Sequence, residues 1–327
     1  MQYKTLGHSD LKVSALGLGC MGMSFAYDDR NDQESNATLE LALDLGVNFW
    51  DTADMYGQGE NEKLLAPHLK KNRDKIVLAT KFGFRPKEGG GTYFDGSPEY
   101  LRQACDASLL RLGIDTIDLY YAHRADGEVP IEETVGAMAE LIKAGKVRYL
   151  GLSEVAPETL RKAHAVHPIT ALQSEYSMFS RDVEKEVLPL CQELGISFIP
   201  YSPLGRAMLT GKVASATQMD DTDFRKKLPR FQQENFERNQ AFVNALTNYA
   251  QQLDATAAQL AIAWVLHQGE NIIPIPGTKK RKYLQENAQA ASIQLNAQQL
   301  NEINQILEEH SVHGARYTEG ALKLVNR

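Results

Sequence analysis

Short apolar runs alternate along this chain with longer segments whose apolar residues recur at helical spacing. The runs fall at residues 16–19, 47–50, 76–80, 117–121, 147–151, 171–173, 197–200 and 272–275. Helical patterns lie between them, for example at 33–45 before Gly46, 98–112 before Gly113 and 131–144 before Gly145, each stopped by a glycine suited to a helix C-terminus. Eight strand candidates, nearly all separated by a helix, predict a closed (β/α)8 TIM barrel; an open doubly wound sheet usually stops at fewer strands. Residues 2–6 and 11–13 around the turn GHSD predict an N-terminal β-hairpin before the first repeat. A helix at 297–309 and the tail SVHGARYTEGALKLVNR follow the last repeat. The polar stretch 203–239 breaks the rhythm and is expected to act as a functional lid or mobile segment. With no short repeat and no linker, residues 1–327 are expected to form a single domain.

Composition agrees with this picture and narrows it. A length of 327 residues suits one α/β barrel, and the 43% hydrophobic and 24% charged fractions are those of a soluble globular protein. A net charge of −7 argues against a general nucleic-acid or anionic-membrane surface, which needs clustered basic residues. The three cysteines, Cys20, Cys105 and Cys191, are far apart, giving neither a disulfide framework nor a zinc motif. The N-terminus MQYKTLGHSD has no apolar signal core and no run approaches a membrane span, so the expected location is the cytoplasm. His164 with His167, and His310 with His313, lack both a third ligand and helical i, i+4 spacing, so no metal site is expected.

Gly17, Gly19 and Gly22 spell GxGxxG after a strand candidate. That motif binds a pyrophosphate only if a helix begins at once, whereas MSFAYDDRND reads as loop. The glycines are therefore expected to relieve crowding at the barrel mouth, with Gly19 and Met21 placed to touch a cofactor from the end of the first strand.

Four polar residues sit where three of these patterns end or just beyond: Asp51 after VNFW, Tyr56 five positions later, Lys81 after IVLAT and His123 after DLYYA. In a parallel barrel the C-terminal ends of the strands converge on the catalytic face. A tyrosine with an ordinary pKa of ~10 needs a stabilised phenolate to act as an acid or base near neutrality. Lys81 supplies the positive charge, Asp51 holds the lysine, and His123 is able to donate to a substrate oxygen.

DTADMYGQGENE, KFG, YYAHR, GLSE, PYSPLGR and PIPGTKKRKYLQEN, in this order, resemble the aldo-keto reductase family across nearly the whole chain. The resemblance implies an NADPH-binding (β/α)8 barrel in which Asp51, Tyr56, Lys81 and His123 form the catalytic tetrad. Hydride passes to a carbonyl carbon, and Tyr56 protonates the oxygen as general acid. It assigns Ser153 and Gln173 to the nicotinamide carboxamide, and Tyr201, Ser202, Leu204 and Arg206 to the nicotinamide ring and pyrophosphate. Glu286 and Asn287 fall at the adenine end. Gly277, Thr278 and Lys279 sit at or just before a helix N-terminus, where free N–H groups, the helix dipole and a basic run suit a 2′-phosphate.

Two positions depart from the family pattern. Tyr283 stands where many relatives carry arginine, which shifts the phosphate grip to Lys279 and its basic neighbours. Glu154 stands where many carry asparagine. Around the mouth, Phe25, Tyr27, Phe84 and Tyr93 are candidate walls for a small aldehyde or ketone. Two other readings remain open: an NADPH-binding sensor or accessory protein with vestigial activity, and a Schiff-base lyase using Lys81. DTADMY, which supplies a tyrosine and a carboxylate, opposes the lyase.

Overall fold

The computed structural model describes the whole chain except residues 28, 29, 214, 215, 222, 323, 324, 326 and 327. The antiparallel pair β1 (Tyr3–Thr5) and β2 (Lys12–Ser14) opens it. There follow β3 (Leu18–Gly19), α1 (Asp32–Asp44), β4 (Phe49–Asp51), α2 (Glu60–Asn72) and β5 (Val77–Phe82). A small hairpin, β6 (Phe84–Pro86) with β7 (Thr92–Phe94), precedes α3 (Pro98–Leu112). The alternation resumes with β8 (Ile117–Ala122), α4 (Ile131–Lys143), β9 (Val147–Ser153), α5 (Pro157–Val166), β10 (Ala171–Glu175), α6 (Val187–Glu193) and β11 (Ser197–Tyr201). Helices α7 (Gln233–Gln252), α8 (Ala257–Leu266), α9 (Arg281–Gln289) and α10 (Ala297–Glu309) complete the body, and a short α11 (Glu319–Leu322) lies in the tail.

Seven parallel strands pair in the order β3, β4, β5, β8, β9, β10, β11. The eighth position is taken by residues 272–277, which join β11 through the bridges Phe198 to Ile272 and Tyr201 to Ile275, and β3 through Gly19 to Gly277. Pro274 and Pro276 have no N–H to give, so this segment closes the (β/α)8 barrel by isolated bridges.

Strand residues alternate between the barrel interior and the helix layer. Phe49, Val77, Ala79, Leu119, Tyr121, Ala171, Ile199, Ile273 and Ile275 fill the inside, and Leu6, Leu11 and Val13 of the opening hairpin belong to the same cluster, plugging its N-terminal end. Two glycines make this packing possible. A Cβ on Gly17 would meet the Phe49 ring at 2.7 Å, and one on Gly151 would meet the Tyr121 ring at 2.4 Å. The GxGxxG string is thus a packing feature, followed by a 3-10 turn at Met21–Met23 and no immediate helix.

The structure departs from the sequence expectation in two segments. The β6–β7 hairpin was not expected; its three-residue strands are largely exposed, and Gly89, Gly90 and Gly91, all at positive φ, turn the chain between them. The polar stretch from 203 holds short 3-10 turns and then becomes the start of α7 at Gln233. Among the described residues no helix is long and apolar enough to cross a membrane.

Candidate active site

The period of two along each strand places the polar residues. Asp51 follows Phe49 on the inward face of β4, Lys81 follows Ala79 on β5, and His123 follows Tyr121 just past β8. Each is the next inward position after the last apolar one, so the barrel's own repeat brings them together at its C-terminal mouth. Tyr56 lies off the strands, in a loop that is tied down at both ends. Asp54 N donates to Lys81 O at 3.0 Å. Buried Asn61 donates to Cys20 O at 2.9 Å and accepts from Thr52 Oγ1 at 2.6 Å.

At the centre, Lys81 Nζ donates to Asp51 Oδ1 at 2.5 Å, to Thr52 O at 2.8 Å and to Tyr56 Oη at 3.2 Å. Gln173 Nε2 donates to the other Asp51 oxygen at 2.8 Å. The Tyr56 and His123 rings meet edge to face, 6.0 Å between centroids. Burial works against the Lys81 ammonium, but Asp51 and Tyr56 reverse it and hold the lysine above its usual value. Burial raises the Tyr56 phenol above 10.0, with Lys81 pulling it back. Burial, then the charges of Lys81 and Arg124, push His123 well below 6.5. At neutral pH the site therefore presents an ammonium, a protonated phenol and an uncharged imidazole.

The structure brings some expected cofactor and substrate residues to this centre and leaves others apart. Phe25 stacks on Tyr56 with centroids 6.4 Å apart, and Phe84 packs edge to face on His123 at 4.8 Å. Ser153 is buried beside Arg124, whose Nη1 donates to its Oγ at 3.2 Å. Tyr27 sits farther out, against Phe224 at 5.5 Å and under Arg225. Tyr93 lies under Arg85 in the small hairpin, 5.8 Å away, and touches none of the four.

Met21 opens its 3-10 turn, and Gly19 faces Gly277 across the barrel seam. Ser202 and Arg206 adopt left-handed φ values of 51° and 57° as the chain turns off β11, with Leu204 between them packed on the core. Thr278 and Lys279 lie just ahead of α9, whose N-cap Lys280 makes no side-chain cap and whose first N–H, that of Arg281, donates to Glu34 Oε1 at 3.1 Å. On that helix Glu286 meets Lys212 Nζ at 3.4 Å, and Asn287 is buried.

A buried ionic network at the mouth has no counterpart in the sequence expectations. Glu154, turning left-handed at φ 55° just past β9, accepts from Arg316 Nη1 at 2.6 Å and Nη2 at 2.7 Å, from Tyr201 Oη at 2.7 Å and from Glu175 N at 2.9 Å. Burial alone would raise the Glu154 carboxyl, but Arg316 holds it down at about 2. Tyr317 brings its hydroxyl to 2.9 Å from that of Tyr201, and the Arg206 guanidinium lies 4.7 Å above the Tyr317 ring while bonding Glu175 at 2.9 Å. The tail thus crosses the mouth and is pinned beside Tyr201. In the sequence only the departure at Glu154 pointed toward this.

A lysine and a phenol in hydrogen-bond contact, beside an imidazole at the open end of an α/β barrel, are the parts of an enzyme that passes a proton to or from an oxygen atom. Comparison with known proteins gives that class a family. The family model described as Aldo/keto reductase family matches residues 15–308. The chain is 46% identical over 317 residues to a probable aldo-keto reductase 1 of Glycine max, covering 96% of this chain and 91% of that protein. It is 44% identical over 315 residues to the aldo-keto reductase yakc [NADP(+)] of Schizosaccharomyces pombe, covering 94% and 93%. Among solved structures it is similar to the glycerol dehydrogenase AKR11B4 of Gluconobacter oxydans, with a TM-score of 0.87, 28% identity and coverage of 96% and 97%. The holo form of the aldo-keto reductase AKR11C1 of Bacillus halodurans gives a TM-score of 0.79 and 30% identity, with coverage of 94% and 96%. The chain belongs to the aldo/keto reductase family, and is an oxidoreductase.

Proposed function

We propose that this protein reduces an aldehyde or ketone to an alcohol with NADPH, with Tyr56 as the general acid. The observation that carries the reading is the chain of contacts from Asp51 through Lys81 Nζ to Tyr56 Oη, at 2.5 and 3.2 Å. When bound, NADPH supplies the hydride that goes to the carbonyl carbon. The Tyr56 phenol then gives its proton to the carbonyl oxygen, so that a C–H and an O–H bond form and the tyrosine is left as phenolate. Lys81, kept charged by Asp51, stabilises that phenolate until solvent returns the proton. Neutral His123 donates one ring N–H toward the same oxygen and fixes its approach.

The donor set also suits the cofactor. Lys279, Lys280, Arg281 and Lys282 cluster around the start of α9, a basic run suited to a phosphate, although Glu34 Oε1 accepts from Arg281 N at 3.1 Å. The yeast relative is named for NADP(+), which agrees with that reading.

Tyr56→Phe tests the proposal. Removing a positioned general acid costs on the order of 10²- to 10⁴-fold in turnover. The Tyr56 hydroxyl bonds to Lys81, so NADPH affinity, read by quenching of protein fluorescence, should stay within about twofold. Carbonyl reduction that continues at the wild-type rate would remove Tyr56 from its role.

A further inference from the structure

The chemistry above leaves one part-buried cation at the rim of the site unused. Arg124 follows His123 directly, and among the described residues it has no carboxylate within ion-pair distance. Its Nη1 donates to His123 O at 2.6 Å and to Ser153 Oγ at 3.2 Å, its Nε is buried without an acceptor, and its Nη2 donates to no described residue. The carboxylates near the mouth are already committed. Glu154 accepts four hydrogen bonds, two of them from Arg316, and Glu175 is held by Arg206 at 2.9 Å and by Arg230 at 3.4 Å. Three guanidinium groups, those of Arg206, Arg230 and Arg316, thus hold the two carboxylates, and Arg124 pairs directly with neither, in a chain whose net charge is −7.

Arg124 is also close to the reacting centre. Its guanidinium carbon lies 5.7 Å from the centroid of Phe84, and that ring packs at 4.8 Å on His123. The part-buried Arg124 guanidinium feels Glu154 only at a distance and keeps donors without acceptors, which a bound anion would take up through charge-assisted hydrogen bonds.

We infer that Arg124 anchors an anionic group, a carboxylate or a phosphate monoester, carried by the carbonyl substrate. The inference rests on the carbonyl-reductase reading. The anion sits on Arg124 while the carbonyl oxygen is presented to Tyr56 and His123, with Phe84 flanking the substrate between them. A neutral substrate leaves the guanidinium unpaired, so discrimination follows from an unsatisfied charge and needs no exclusion by shape. The cofactor's own phosphates have a separate basic run at 279–282.

The test compares wild type with Arg124→Gln and Arg124→Lys, using NADPH and two matched substrate pairs: 4-carboxybenzaldehyde with its methyl ester, and glyceraldehyde 3-phosphate with glyceraldehyde. In wild type the anionic member of at least one pair should have the higher kcat/KM, with the advantage shrinking as salt is raised. In Arg124→Gln the ratio of anionic to neutral kcat/KM should fall at least tenfold, mainly through KM, and Arg124→Lys should restore part of it. The pair whose ratio collapses identifies the anion as carboxylate or phosphate.

An equal loss on both members of each pair would assign Arg124 a structural role and overturn the inference. So would an unchanged ratio accompanied by weaker NADPH binding, which would give the guanidinium to the cofactor. If wild type reduces the neutral aldehydes without preferring either anion, the inference falls and the reductase reading stands. If no carbonyl is reduced, both fall.

Discussion

Replacing Arg316 by methionine removes two charged donors from a carboxylate that is only 4% exposed. In the intact protein those donors lie 2.6 and 2.7 Å from Glu154 and are the main cause, with Arg124 and Glu175 N adding to it, of a carboxyl held at about 2, against an ordinary 4.5. At about 1.4 kcal/mol per pH unit, that difference corresponds to about 3 kcal/mol of folding stability at neutral pH. The figure agrees with the roughly 3–5 kcal/mol lost when one partner of a buried ion pair is deleted. For 327 residues, an unfolding entropy of about 2.1 cal/mol/K per residue converts about 3 kcal/mol to a fall in Tm of about 4 °C. The pH dependence has a definite sign. A depressed carboxyl contributes its full stability above pH 4.5 and loses it as the pH falls toward 2. Urea unfolding of wild type and Arg316→Met should therefore differ by about 3 kcal/mol at pH 7 and by only about 1 kcal/mol at pH 3. A difference below about 1 kcal/mol at pH 7, or one unchanged at pH 3, would refute the reasoning.

Two further outcomes follow from the site. Tyr56 is raised above 10.0 by burial and His123 is pushed well below 6.5, so both hold their working protonation states through the neutral range. Reduction of a non-ionising aldehyde should be flat from about pH 6.5 to about pH 9 and fall only as the pH passes 10, where the phenol loses its proton; a fall centred between about 7 and 8 would assign the acid to another group. At the other end of the cofactor, Tyr283 cannot grip a phosphate as an arginine does, while exposed Arg281 opens α9 and is held by Glu34 at 2.9 Å. Arg281→Met should raise the KM for NADPH roughly five- to thirtyfold, about 1–2 kcal/mol, and move that for NADH less than about twofold; equal shifts would remove the arginine from any 2′-phosphate grip.

The barrel and the convergence of Asp51, Lys81 and His123 were legible in the sequence for the same reason. A buried strand reports its interior face every second residue, so the first polar residue in that register must appear at the mouth, as Asp51, Lys81 and His123 do after Phe49, Ala79 and Tyr121. Tyr56 has no such register and was found through its motif. The β6–β7 hairpin was not legible, because two exposed three-residue strands leave no apolar alternation. The eighth strand was visible as an apolar run, but the prolines inside it limit its pairing to bridges. Beyond the departure at Glu154 the mouth network was hidden, since the Glu154–Arg316 pair joins residues 162 positions apart and neither segment has a periodic pattern.

Glu154 shows why one exchange at a strand end reaches so far. An asparagine at this position is neutral and would impose no requirement on the tail. A carboxylate there, in a left-handed turn and almost wholly buried, needs a counter-ion and several donors to be tolerated. The chain supplies them from Arg316 and Tyr201, and Tyr317 closes the group against the Tyr201 hydroxyl. The charge at Glu154 therefore commits the C-terminal tail to the mouth and fixes the hydroxyl end of Tyr201, the ring expected to stack on nicotinamide. Because Arg316 holds both oxygens of that carboxylate, Arg124 acts on it only at a distance and has no direct ion-pair partner there among the described residues. The same pairing that makes the tail part of the site leaves one guanidinium beside His123 for the substrate to satisfy.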